Sequence, residues 1–323
     1  MEIAIFAVGI RARDVDMKRD VGKESLCDFR FRQAGECWHL WTDENHPLVF
    51  ASSTDFEAVM DIIGMSARLF PELKLYTFEL MSNHIHAVVS GNEDRVKALF
   101  KAFRHLLSNY FRGGKSGLNA RDVCLDNFNC NLRLITTVSD FRNVIAYDNR
   151  NGFVVSPDVT PFSYPWGANR YFFNPDARQL ALESSEMFTV RDRLRIVHSH
   201  VADSIPPLKT LHGYACPMDF CAIEEAESLF LNASQYFNLV SRPVESFRDI
   251  AREISERIFY TDDELYSAVC SIARKNYGLK ISELGKEAKT ELARAMHYDY
   301  NASNRQISRM LRIQLAVVDG WFV

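Results

Sequence analysis

Between residues 37 and 152 the spacing of apolar positions changes period several times, and each change marks an element. "CWHLWT" (37–42) alternates aromatic or apolar with polar positions, the period of a strand. "STDFEAVMDIIGMSARLF" (53–70) opens on Ser and Thr as cap candidates. It then places Phe56, Val59, Met60 and Ile63 at helical spacing. "LKLYTFELM" (73–81) alternates again. "SNHIHAVVSG" (82–91) reads as a tight turn and a second strand closed by Gly91. "DRVKALFKAFRHLLSNYF" (94–111) has the stripe of an amphipathic helix. "VSDFRNVIAYDNRNG" (138–152) predicts a further helix, with Ser139 as cap candidate and Asn151-Gly152 as its end. The order strand, helix, strand, strand, helix, helix predicts an α+β fold, a small antiparallel sheet with helices on one face.

The segment 154–175 holds four prolines and cannot form a long helix, so it reads as the close of this domain. Beyond it the pattern predicts helices at 183–204, 218–240 and 243–260, and an all-α block over 261–323. The expected organisation is an N-terminal extension (1–35), an α+β domain (36–170), a helical connecting region (171–260) and a terminal helical domain (261–323). For 323 residues with 47% apolar content, more than one core is the natural expectation. Seven scattered cysteines without a C-x-x-C pair predict reduced thiols. The first apolar run lacks the charge order of a secretory signal, and no run approaches membrane-spanning length. A cytoplasmic protein without a membrane partner is expected.

Candidate chemistry begins at "MSNHIHAVVS" (81–90). In a strand, positions i and i+2 share a face, so His84 and His86 would point the same way, near enough to share one ion. The same spacing recurs at His198 and His200 in "RIVHSHVAD", but that context reads as helix, where i and i+2 diverge. Tyr147 and Asn151 are four apart, hence on one helix face. A tyrosine beside a metal-bound phosphate can act as nucleophile, and an amide oxygen suits a hard cation. Equally, Tyr147 can be a core aromatic and Asn151 a C-cap. Arg95, Lys97, Lys101, Arg104, Arg112 and Lys115 form an acid-free basic run. Its phosphate contacts are expected from Lys97, Lys101, Arg104, Arg112 and Lys115, with base stacking by Tyr110 or Phe111. Arg150 is a further candidate phosphate clamp. Trp38 and Trp41 read as packing residues.

These residues resemble the HUH single-tyrosine transposases. "MSNHIHAVV" is similar to that family's "MPNHVHLL". "YDNRN" resembles the helix "YIxxNPxxAGLV" of the REP-associated tyrosine transposases, which a "YPW" follows. Here Tyr164-Pro165-Trp166 lies 17 to 19 residues after Tyr147. The likeness covers residues 36–170, with Ser82 and Gly152 standing where the family has proline. A second register would put Asn143 in the tyrosine column, but the distance to Tyr164 favours Tyr147. The resemblance implies an HUH endonuclease-like fold with Tyr147 as catalytic residue. His84, His86 and Asn151 would be ligands of Mg²⁺ or Mn²⁺. The reaction would be cleavage and rejoining of single-stranded, hairpin-bearing DNA through a 5′-phosphotyrosine, by a monomer or a homodimer.

Two other readings stay open. One is a domesticated hairpin-DNA-binding protein without turnover. The other is a His-x-His metal hydrolase using activated water, which calls for acidic ligands near the histidine strand; Glu93 and Asp94 lie beyond its closing Gly91. Finally, "SNRQISRMLRIQLAVVDGWF" (303–322) resembles a helix-turn-helix, and with the preceding segment is similar to the C-terminal DNA-binding domain of the DnaA initiator. Residues 271–315 carry nine Lys/Arg and four Asp/Glu, against a net charge of −4 for the chain. The second helix carries Asp319 and no Lys or Arg, so DNA contact is expected from the preceding helices. A packing or dimerisation role is the plainer alternative.

Overall fold

The computed structural model describes residues 35–43, 49, 50, 52–113, 125, 127–155, 163–242, 247–253, 260 and 262–322. Its first half is the expected α+β arrangement of a small antiparallel sheet with helices, although the helices lie on both faces rather than on one. Strands β1 (Cys37–Thr42), β2 (Lys74–Leu80), β3 (Ile85–Ser90) and β4 (Cys130–Ile135) form an antiparallel sheet in the order β2-β3-β1-β4. The sequence pattern did not reveal β4. Its side chains are only partly covered, so its alternation of Asn131 and Arg133 with leucines carries little apolar signal.

Helices α1 (Ser53–Leu69) and α2 (Glu93–Arg112) cover one face of the sheet. Ser52 starts α1 through a capping box with Asp55, whose other oxygen accepts the Tyr110 hydroxyl of α2. Ile63, Phe100 and Phe103 meet Leu40, Ile85, Ala87 and Val89 around a small apolar space. The opposite face carries His39 and His86, and α3 (Val138–Val155) lies over it, packed mainly on β2. Arg133 and Asp140 pair at 2.9 Å and tie β4 to the start of α3.

The helices expected at 183–204 and 218–240 are broken into shorter pieces. The region holds α4 (Pro175–Glu183), β5 (Met187–Phe188), α5 (Val190–Val197), α6 (Val201–Ser204), β6 (Leu208–Leu211), β7 (Tyr214–Ala215), α7 (Pro217–Phe220), α8 (Ile223–Glu227) and α9 (Ala233–Val240). Local chemistry sets the breaks. Thr189 and Asn232 cap new helices, His198 turns left-handed at φ 45°, and Pro217 takes a first helical position. Of 243–260, α10 (Arg248–Glu253) is helical, while 243–246 and 254–259 fall outside the described residues.

One buried cluster runs from Cys37 to Ala251, so the middle region shares the core of the sheet domain. It docks on α1, where Ala215 N–H donates to Asp61 at 2.6 Å and Arg68 pairs with Asp219 at 2.6 Å. Gly64 allows that approach, because a Cβ there would stand 3.0 Å from the Phe220 ring. A second cluster, Tyr260 to Val318, belongs to α11 (Asp262–Tyr277), α12 (Lys286–Asp299), α13 (Asn304–Leu311) and α14 (Leu315–Asp319). Ser303 caps α13 through a capping box with Gln306, and Arg312 ends it at φ 53°, as expected for the first helix and turn. The second helix, α14, spans five residues.

Candidate metal centre and tyrosine

The β2–β3 turn and the pairing of β3 with β1 set the histidines. Met81 N–H donates to the His84 carbonyl at 2.9 Å, and Ile85 N–H donates to Thr42 Oγ1 at 3.0 Å. His84 therefore sits just before β3, with its Nδ1 2.8 Å from Asn83 Oδ1 and its ring 5.1 Å from that of His86. Across the ladder His86 lies opposite Trp41 and Glu79. His39, two residues from Trp41 on β1, shares its face.

Helix α3 brings Tyr147 and Asp148 against this pair. The Tyr147 ring is 5.8 Å from His86 and 6.4 Å from His39, edge-on to both, and Phe247 packs 6.1 Å from it. Asp148 Oδ1 stands 2.9 Å from His39 Nε2 and 3.7 Å from His86 Nδ1, and those two nitrogens are 3.4 Å apart. His39, His86 and Asp148 are all fully buried. Around one ion with bonds of about 2.1 Å, adjacent ligand atoms lie about 3.0–3.4 Å apart, close to this triangle.

The hydrogen bonding fits a cation better than a bare carboxylate. Among the described residues neither Asp148 oxygen receives a hydrogen bond of proper angle, and His39 Nδ1 has none. A buried carboxylate left so is costly unless a cation or donor compensates it. Two imidazole nitrogens and a carboxylate oxygen suit Mn²⁺, Zn²⁺ or related ions. The group could thus hold a metal ion.

A buried polar network fixes the height of α3 over the sheet. Thr77 Oγ1 donates to Asn149 Oδ1 at 2.5 Å, and Asn149 Nδ2 donates to the Tyr236 hydroxyl at 2.8 Å. The Tyr236 hydroxyl in turn donates to Asn169, whose Nδ2 reaches the Asn149 carbonyl at 2.8 Å. Burial pushes the Tyr236 hydroxyl well above its ordinary pKa, so it stays a donor.

The expected residues thus divide. His84, His86 and Tyr147 come together, and Asn151 lies one turn beyond Tyr147, half-buried. The α2 cations stand on the helix layer across the sheet from the histidines. Lys97 pairs with Glu93 and Arg95 with Glu72, both at 2.5 Å. Arg104 reaches Asn129 Oδ1 at 2.5 Å, Arg112 bonds Ser108, and Lys101 is exposed. Lys115 lies outside the described residues. Tyr110 and Phe111, expected to stack on bases, are instead buried at 2% exposure in the helix interface. Arg150 is buried and paired with Glu264 of α11 at 2.5 Å. Tyr164 and Trp166 serve packing: the Tyr164 hydroxyl donates to the Leu80 carbonyl, and Trp166 stacks on Phe56. His198 and His200 flank a turn between α5 and α6, and His200 is fully exposed.

His39 and Asp148 were not among the expected site residues, and Asp148, 3.7 Å from His86, overturns the expectation that no acid accompanies the histidine strand. Alternation in "CWHLWT" does put His39 opposite in face to Leu40, a polar residue in a strand otherwise rich in aromatics. Nothing local says that this face meets α3.

No family model and no curated protein matches the chain. Among solved structures, a REP-associated tyrosine transposase bound to a REP hairpin is similar at 14% identity and a TM-score of 0.32. The match covers 44% of this chain and 81% of that one. Likeness at that level decides neither fold nor activity.

Proposed function

We propose that the protein is a metal-dependent nuclease and strand transferase of single-stranded, hairpin-bearing DNA, with Tyr147 as nucleophile. The carrying observation is the Tyr147 ring, itself buried, set edge-on to His86 and His39 beside a buried group of three metal donors. A bound ion would supply charge stabilisation at the scissile phosphate. Tyr147 would attack that phosphorus through its hydroxyl oxygen, forming a 5′-phosphotyrosine and freeing a 3′-OH, while the hydroxyl proton passes to solvent or a neighbouring base. His39, His86 and Asp148 hold the ion in this reading, with His84 and Asn151 as further ligands toward the DNA. Lys97, Lys101, Arg104, Arg112 and Lys115 would contact phosphates away from the cut, and Arg150 only after leaving Glu264. The resemblance of the histidine and tyrosine motifs to HUH transposases supports the substrate class.

Asp148 favours a second reading, a hydrolase in which water rather than Tyr147 attacks. Incubation with labelled single-stranded hairpin DNA and Mn²⁺ separates the two. A denaturant-resistant protein–DNA adduct that disappears in Tyr147→Phe is the expected result. Cleavage that persists in Tyr147→Phe would establish the hydrolase, and binding without cleavage would leave a DNA-binding protein without turnover.

A further inference from the structure

The second core carries a feature that the proposed chemistry does not use. Between α11, the turn at 281–283, α12 and the end of α13 lies an open cleft of about 490 Å³. Arg274, Lys280, Lys289, Arg309 and Arg312 line it. The acid lining it, among the described residues, is Asp262. That carboxylate is already engaged by Arg309 and by Gln306 Nε2 at 3.2 Å. Among the described residues, four cations therefore remain without a compensating acid in the wall, within a chain of net charge −4. Tyr266, 53% exposed, stands in the same wall. Arg274, Lys280 and Arg312 are exposed and Lys289 is half-buried.

Five cations drawn from four segments make a track rather than a point site, which suits a ligand with several phosphates. An exposed aromatic ring beside them offers a stacking surface for a base. Duplex reading by a recognition helix is not what this domain is built for: α14 has no Lys or Arg, and its Asp319 accepts from Asn304 Nδ2 at 2.9 Å.

We propose that this cleft is a second nucleic-acid site, which binds a stretch of single-stranded DNA by its phosphates and stacks a base on Tyr266. The choice of DNA over another polyanion rests on the function proposed above, whereas the cleft's charge and its aromatic wall do not.

The test uses the full-length chain in the Tyr147→Phe background with EDTA, so that neither cleavage nor a bound ion contributes. Fluorescence anisotropy with a labelled 20-nucleotide oligo-dT reads the binding. Arg274→Glu with Lys289→Glu should weaken it at least tenfold. The double variant should also flatten the salt dependence, by about 0.7 in log–log slope for each phosphate that the protein no longer neutralises. Tyr266→Ala should weaken it several-fold, while Arg274→Lys with Lys289→Arg should keep most of the affinity. Charge-reversed protein that melts normally and binds oligo-dT as the parent does would overturn the proposal. So would a blunt duplex bound more tightly than oligo-dT, or polyphosphate competition together with indifference to Tyr266→Ala. Adduct formation is measured separately with Tyr147 intact, so failure of the chemistry and failure of the cleft are told apart.

Discussion

At the scale of single residues, the buried Asp148 carboxylate between His39 and His86 places a cost in the fold that a bound cation would remove. Asp148 is fully buried, and neither of its oxygens receives a well-angled hydrogen bond among the described residues. Unfolding in EDTA sets the metal-free baseline for the parent, Asp148→Asn and His39→Ala. With Mn²⁺ at a hundredfold excess over Kd, the parent should gain about 2.7 kcal/mol, and Asp148→Asn or His39→Ala little of it. Differential scanning fluorimetry with and without Mn²⁺ reads both effects; equal metal shifts in parent and variants would remove these residues from the ligand set.

Asp61 makes a different case. Burial lifts its carboxyl well above the usual range, although Ala215 N–H donates to it at 2.6 Å. The folded state thus holds this proton more tightly than the unfolded chain. The stability it contributes is complete below the ordinary carboxylate pKa and is lost as pH rises through the raised value. Asn offers the same acceptor without the charge. Asp61→Asn should match the parent near pH 4 and melt above it near pH 8. A variant that is less stable at both would contradict this account.

At the scale of elements, β2 shows how a sheet edge is closed. Its outer side is met by Gly167 opposite Glu79 and by Cys221 beside Leu75, and Leu80 N–H donates to the Trp166 carbonyl at 2.9 Å. A Cβ at Gly167 would stand 2.8 Å from the Phe78 carbonyl and closer still to Glu79. Gly167→Ala should therefore lower stability by about 1–3 kcal/mol, the range of overpacking, measured by urea unfolding. A change below half a kcal/mol would mean that the strap can shift away.

The same elements show what could be read beforehand. The strands at 37–42 and 85–90 and helices α1, α2 and α3 were legible because their apolar periods reflect a face turned to a core. The middle region was not, since its pieces of two to nine residues are set by caps and prolines rather than by long stripes. At the site, His84, His86 and Tyr147 stood out through the resemblance of their motifs to the HUH transposases, not through spacing alone. His39 and Asp148 did not, because each acquires its meaning from a pairing register and a helix position that no local pattern encodes. The basic run on α2 was legible as charge, but its sequence position says nothing of the sheet face it occupies.

At the scale of the whole molecule, an ion pair buried on its Arg150 side links α3 in the first half to α11 of the terminal helical block. Arg150, two residues after Asp148 on α3, is 4% exposed at its side chain, and its partner Glu264 on α11 is 17% exposed. Taking two charges out of water is repaid only while both are present, so breaking such a pair costs about 3–5 kcal/mol, whereas replacing both partners by apolar side chains is often nearly neutral. Arg150→Met alone and Glu264→Met alone should each be strongly destabilising. The Arg150→Met/Glu264→Met protein should lie closer to the parent than either single variant, a coupling that a double-mutant cycle by urea denaturation measures directly. The consequence reaches the site, because Asp148 and Arg150 share one turn of α3. The single variants should therefore also weaken Mn²⁺ binding more than the double variant does. If the two losses simply add, and metal affinity follows neither, then α11 packs against α3 without bracing the metal centre.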